Sequence, residues 1–214
     1  ALLDQLQAYT AAPPPGAALD NLEYDCLDVL VAGLLGIDKL RDEELTGTAP
    51  EMVPYQPTPA RVILELVKNT RMGPGDLFVD VGSGLGIVPI MVTLLSGAAS
   101  IGMEVQPWYC RAAEEAAREL NLSNVRFRCQ DAVDGDFAEG TVFYLYSPFK
   151  GTMLRRVLDR LHEEGRRRPI CVCTYGPSLA EAVEQHVRAL ERSGRVAQPI
   201  TIFRSCPEAT RGRA

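Results

Sequence analysis

The chain has 214 residues, with 22 basic side chains against 28 acidic ones and a net charge of −6. That length fits one domain with room for an appendage, and the charge provides no global field toward nucleic acid or an anionic membrane. No apolar run reaches transmembrane length and no basic-then-apolar signal opens the chain.

The six cysteines (26, 110, 129, 171, 173, 206) form no C-x-x-C pair and lie mostly inside apolar runs. They read as reduced, buried thiols of a cytoplasmic protein. Cys171 and Cys173 sit two apart on one strand face without the further ligands a metal needs, so no metal is expected. The chain does not open on methionine, which fits a piece of a longer protein.

The first elements are helical. After the breaker "AAPPPG", Leu19, Leu22, Cys26, Val29, Leu30 and Leu34 recur at helical spacing and predict an amphipathic helix over about 17–35. The stretch "GTAPEMVPYQPTP" is too proline-rich and too long for a simple connection, and is expected to be a functional loop. Thr58 before Pro59 has the form of an N-cap with proline at the first helical position, followed by a helix burying Val62, Leu66 and Val67. Residues 1–52 are therefore expected to form an N-terminal helical extension and 53–214 the main domain.

A strand, a glycine loop and a helix come next. In "DLFVDVGSGLG", Leu77, Phe78, Val79 and Val81 read as a buried strand, Gly82, Gly84 and Gly86 fill a tight turn, and Ile87–Leu95 is long enough for a helix. Glycines there let a ligand approach bare backbone beside the positive end of that helix. The dinucleotide fingerprint G-x-G-x-x-G would need glycine at 87, where Ile87 stands. The pattern present is D-x-G-x-G-x-G, from Asp80 to Gly86.

Four further strands are predicted at "SIGMEV" (100–105), "NVRFRC" (124–129), "TVFYLYS" (141–147) and "PICVCTY" (169–175). Helices over about 107–120, 151–164 and 178–192 separate most of them, the last with Ser178 and Glu181 spaced as a capping box. The tail "RVAQPITIFRS" offers one or two more strands. This alternation predicts an α/β fold, a Rossmann-like, doubly wound, mostly parallel sheet of about seven strands with helices on both faces.

Ligands of such sheets bind outside the carboxyl ends of the strands. Glu104 closes the second strand, where a carboxylate can accept hydrogen bonds from two ribose hydroxyls. Asp131 and Ala132 close the third, and an acidic turn residue explains Asp131 about as cheaply as a ligand role. Tyr146, Ser147 and Phe149 follow the fourth. A polar atom there can orient an acceptor for in-line attack while the two rings exclude water, though a strand-to-loop turn with packed aromatics accounts for them equally. His162 and His186 stand alone on helices and form no triad.

The Asp80–Gly86 pattern resembles motif I of the class I S-adenosylmethionine-dependent methyltransferases. The stretch "YQPTPARVILELVKNTRMGPGDLFVDVGSGLGIVPIMV", continued by "GMEV", is similar to the core of the disruptor-of-telomeric-silencing family, the non-SET histone lysine methyltransferases, and its bacterial relatives, over roughly residues 53–161. The resemblance implies S-adenosylmethionine as cofactor. Its methionyl part would lie on Gly82, Gly84 and Gly86 with its ammonium near Asp80, its ribose on Glu104 and its adenine at Asp131 and Ala132. A Tyr-x-Glu-Thr loop closes over the cofactor in that family; here Tyr55 and Thr58 match and Pro57 replaces the glutamate, while an aromatic plug remains an equal reading of Tyr55.

The family's Asn-Asn-Phe at the fourth strand end is Tyr146-Ser147-Pro148-Phe149 here. That departure leaves the acceptor open. A nitrogen, including that of a protein lysine, is the first expectation, and a protein or small molecule is favoured over nucleic acid. A nucleic-acid amino-methyltransferase and a non-catalytic cofactor-binding scaffold are the alternatives. No membrane partner is implied.

Overall fold

The computed structural model describes residues 24–37, 55–146, 149–193 and 200–205. The elements, in chain order, are α1 (Cys26–Leu34), α2 (Ala60–Thr70), β1 (Leu77–Val81), α3 (Ile87–Ser96), β2 (Ala99–Glu104), α4 (Pro107–Glu119), β3 (Val125–Cys129), β4 (Val142–Leu145), α5 (Gly151–Arg167), β5 (Cys171–Tyr175), α6 (Pro177–His186), β6 (Leu190–Arg192) and β7 (Ile200–Ser205). They build one seven-stranded sheet in the order β3-β2-β1-β4-β5-β7-β6. Strands β1 to β5 run parallel, and β7 is antiparallel to both β5 and β6.

Helices cover both faces. One core gathers Leu27, Ile63, Leu66, Phe78, Ile90 and Tyr144, from α1, α2 and α3 against the sheet. The other gathers Val79, Val81, Phe143, Leu158, Leu161 and Val183, from α5 and α6 against the opposite face. Alternation along β1 thus sends Phe78 to one core and Val79 to the other, as a strand covered on both sides requires. The sequence between β1 and β4 leaves the sheet toward β3 and returns, so the strand order reverses beside β1. A crevice opens there at the carboxyl ends of the strands.

Three local expectations are corrected. Helix α1 starts at Cys26, where Asp25 caps it, and it buries Leu27, Val31 and Leu35. Val29 and Leu30, expected on the buried face, are 73% and 61% exposed. The helix is apolar nearly all round, so spacing alone cannot select a face; Asp25 and Asp28 turn toward α2 and carry Leu27 and Val31 inward. The predicted helix residues before Tyr24, and the boundary at residue 52, lie outside the described residues.

Thr58 does not cap α2. Pro59 holds the N-cap position and makes no side-chain bond there, while the Thr58 hydroxyl bonds to Tyr144. The third correction concerns α6, which is capped by Gly176 with Pro177 in its first turn, displacing Ser178 from the cap, and which ends at His186 because Leu190–Arg192 pairs with β7. Among the cysteines, 110, 171 and 173 are buried, but Cys26 and Cys129 are exposed. Among the described residues no helix is long and apolar enough to cross a membrane.

Candidate active site

The glycine loop is tied to the end of the neighbouring strand. The Gly82 and Ser83 N–H groups both donate to the Met103 carbonyl, at 2.9 Å each. Gly82, Gly84 and Gly86 take φ of 88°, 52° and 75°, a left-handed backbone that only glycine adopts without cost. The turn draws the chain back over β2 and brings the Gly84 N–H onto Glu104. Glu104 Oε2 accepts from Gly84 N at 2.9 Å, and Oε1 accepts from Gln106 N at 2.8 Å. Burial raises the Glu104 pKa, and the amides of Gln106, Gly84 and Val105 oppose that shift.

Asp80, at the end of β1, is 3% exposed. Burial lifts its pKa well above the usual carboxylate range, and neighbouring Glu104 lifts it further. Among the described residues no hydrogen bond reaches its carboxyl. A buried carboxylate in that state is costly unless a cation completes it.

Tyr55 lies across the loop. A Cβ placed on Gly84 would come within 2.3 Å of the Tyr55 ring, so glycine is required where the two meet. On its other side the ring packs against Tyr109 with centroids 5.3 Å apart. Thr58 is buried beneath, its Oγ1 3.0 Å from the Tyr144 hydroxyl. Gln56 Oε1 accepts from the Tyr146 hydroxyl at 3.3 Å, and the Tyr146 ring stands edge-on to Tyr175 at 4.4 Å. Burial raises the pKa values of Tyr55, Tyr144 and Tyr146, so these phenols are neutral donors at ordinary pH.

One cleft joins these groups. Its lining includes Tyr55, Thr58, Asp80, Gly82, Gly84 and Glu104, then Asp131 and Ala132, and at the far end Tyr146 and Phe149. Asp131 Oδ1 also accepts from Val133 N at 2.9 Å, so the turn role and the cleft position coexist in one side chain. Ser147 lies outside the described residues. Gly86 does not line the cleft: a Cβ there would sit 2.6 Å from the Phe127 ring and 2.7 Å from Ala113 Cβ, and the residue caps α3. Its placement serves the packing of loop, β3 and α4.

Tyr109, near the start of the helix after Glu104, also lines the cleft, and sequence reasoning missed Tyr144, Gln56 and Met153, which line it too. Tyr144 was hidden because β4 is buried on both faces and offers no alternation to read. Gln56 adjoins Tyr55, and that adjacency was the available signal. Among the described residues no three or more His, Cys, Asp or Glu side chains are grouped so that they could hold a metal ion.

The chemistry of the lining selects among ligands. Three carboxylates, Asp80, Glu104 and Asp131, face the cleft, and among the described residues no lysine or arginine does. A pyrophosphate would meet repulsion there. S-adenosylmethionine fits: its hydroxyls can be accepted by Glu104, and its positive groups complement Asp80.

Solved structures with the same fold include an RNA methyltransferase from Salinibacter ruber in complex with S-adenosyl-L-homocysteine. It is 24% identical with a TM-score of 0.57, over 72% of this chain and 95% of that one. The tRNA (m1A58) methyltransferase TrmI from Aquifex aeolicus is 11% identical with a TM-score of 0.56, over 71% of each chain. The chain shares the Rossmann-like fold of these methyltransferases. A family model described as histone methylation protein DOT1 matches residues 52–139. The chain resembles the DOT1 family through that segment.

The H3 lysine-79-specific histone-lysine N-methyltransferase of Gibberella zeae is 43% identical over 56 residues, 26% of this chain and 11% of that protein. The one from Aspergillus fumigatus is 34% identical over 88 residues, 37% of this chain and 16% of that protein. The chain thus matches only a small part of the length of these curated relatives.

Proposed function

We propose that this protein binds S-adenosylmethionine at the carboxyl ends of β1 to β3 and transfers its methyl group to a nitrogen acceptor, foremost a protein lysine. The observation that carries the reading is the meeting of Gly84, Glu104 and Tyr55: a bare glycine turn, a buried carboxylate and a covering ring around one cleft. The bound cofactor supplies an activated methyl group on a sulfonium. Glu104 holds the ribose, Asp80 balances positive charge at the methionyl end, Asp131 and Ala132 meet the adenine, and Tyr55 excludes water above the loop.

Tyr146 and Phe149 wall the acceptor end, where alignment and desolvation are the main requirements for transfer. An amine must reach the cleft uncharged to attack. Neutral phenols and an apolar ring favour that form over an ammonium ion. The lack of basic side chains among the described residues of the lining supports a protein or small-molecule acceptor over nucleic acid, and the histone-lysine relatives support lysine among nitrogen acceptors.

The test is mass spectrometry of lysine-containing peptides and intact histone octamers after incubation with protein and S-adenosylmethionine. A gain of one or more methyl masses on lysine is expected. Methylation confined to RNA or DNA in parallel reactions would overturn the acceptor assignment.

A further inference from the structure

The start of α2 has no side-chain cap of its own. Its Ala60 N–H donates instead to Asp28 Oδ1 on α1, at 2.7 Å. The other oxygen of the same carboxylate, Oδ2, accepts from Asp25 N at 2.7 Å and completes the capping box of α1. One side chain therefore satisfies amides at two helix starts. Around it Arg61 pairs with Asp25, and the Tyr24 hydroxyl donates to the Pro57 carbonyl.

Pro57 belongs to the segment that covers the cleft. Before it Tyr55 lies on Gly84 and Gln56 meets Tyr146; after it Thr58 is bonded to Tyr144. The cover is pinned to the sheet from inside by these contacts, and to α1 from outside by Tyr24 and Asp28. Neither of those two residues lines the cleft, and both precede the segment matched by the DOT1 model.

We propose that Tyr24 and Asp28 are positioning residues that latch the 55–58 cover, so that helix α1 sets how fast cofactor and demethylated product leave. The inference rests on the S-adenosylmethionine reading of the cleft. Exit requires the cover to lift, which breaks the Tyr24–Pro57 bond and strains the Asp28–Ala60 bond. A latch acts only through the difference it makes between closed and open forms. Weakening it speeds passage in both directions, whereas losing a direct ligand contact speeds exit alone.

The experiment measures S-adenosylhomocysteine dissociation by stopped-flow displacement in the 214-residue chain, with calorimetry of the wild type alongside. Tyr24→Phe removes one hydroxyl from a side chain that is 53% exposed. It should raise the dissociation rate about threefold, and Asp28→Ala about tenfold, as befits a neutral and a charge-assisted hydrogen bond. Association should rise in parallel, leaving Kd changed by less than the dissociation rate.

Val31→Ala, which thins the buried face of α1 and leaves Tyr24 and Asp28 in place, serves as the control and should leave the rate within twofold. Should Asp28→Ala fail to fold, Tyr24→Phe carries the test. Dissociation within twofold of wild type in the folded latch variants, or an equal acceleration in Val31→Ala, overturns the latch. A wild-type protein that binds no S-adenosylhomocysteine overturns the cofactor reading instead, and calorimetry reveals that separately.

Discussion

Replacing Glu104 with glutamine keeps the side-chain volume but turns one carboxylate oxygen into a donor. In the native site Oε2 takes the Gly84 N–H at 2.9 Å and Oε1 the Gln106 N–H at 2.8 Å, and each oxygen retains a lone pair for a ribose hydroxyl. Glutamine can keep one of those backbone bonds and sets a donor against the other amide. It also cannot accept from both hydroxyls.

A hydrogen bond to a charged acceptor contributes about 1.5–3 kcal/mol. The wild type should therefore prefer S-adenosylhomocysteine over its 2′-deoxyribose analogue by roughly 10- to 100-fold. In Glu104→Gln that preference should fall below about threefold, because the acceptor that senses the hydroxyl is gone. Competition calorimetry with both ligands on both proteins closes the cycle, and the comparison between ligands cancels any general loosening of the Gly84 turn. An undiminished preference in the variant, or none in the wild type, would refute the ribose role of Glu104.

Two further substitutions separate structure from binding. Gly86→Ala should destabilise the fold by about 2–4 kcal/mol, combining a left-handed backbone at φ 75° with overpacking against Phe127 and Ala113, while the folded protein keeps its cofactor affinity within about threefold; denaturant unfolding and calorimetry report the two effects. Asp80 has a folded-state pKa raised by burial, so its stability contribution is greatest below its unfolded pKa and is lost as pH rises through the folded value. Asp80→Asn should therefore gain melting temperature relative to wild type as pH increases from about 4 to 9, and lose roughly tenfold or more in S-adenosylmethionine affinity. A melting difference independent of pH would contradict the assignment.

The parallel sheet was legible because most of its strands, β1, β2, β4 and β5, are buried on both faces and read as short apolar runs. Glu104 and Asp131 could be placed at one end of the sheet for the same reason: in a parallel sheet, residues that end successive strands share an edge. Orientation around a helix was harder to read. In α1 the residues Leu27, Val31 and Leu35 compete with Cys26, Val29 and Leu30, and only the reach of Asp28 to Ala60, 32 positions away, decides between them.

Contacts between distant segments were equally invisible. The Thr58–Tyr144 bond joins residues 86 apart, so the local pattern suggested a helix cap where the fold builds a tie to the sheet. Gly86 shows the limit of a motif. Its spacing marks the loop, but Phe127 and Ala113, from later elements, determine that its missing Cβ serves packing.

The ligand of the Asp80–Glu104 cleft decides the function. Titration calorimetry of the wild-type chain with S-adenosylmethionine, S-adenosylhomocysteine and NAD tests it most directly. Micromolar-range binding of the first two with no comparable affinity for NAD is expected, since the described residues of the cleft lining present carboxylates and glycine amides with no cation for a pyrophosphate. Tighter binding of NAD, or no binding of either adenosyl ligand, would contradict it.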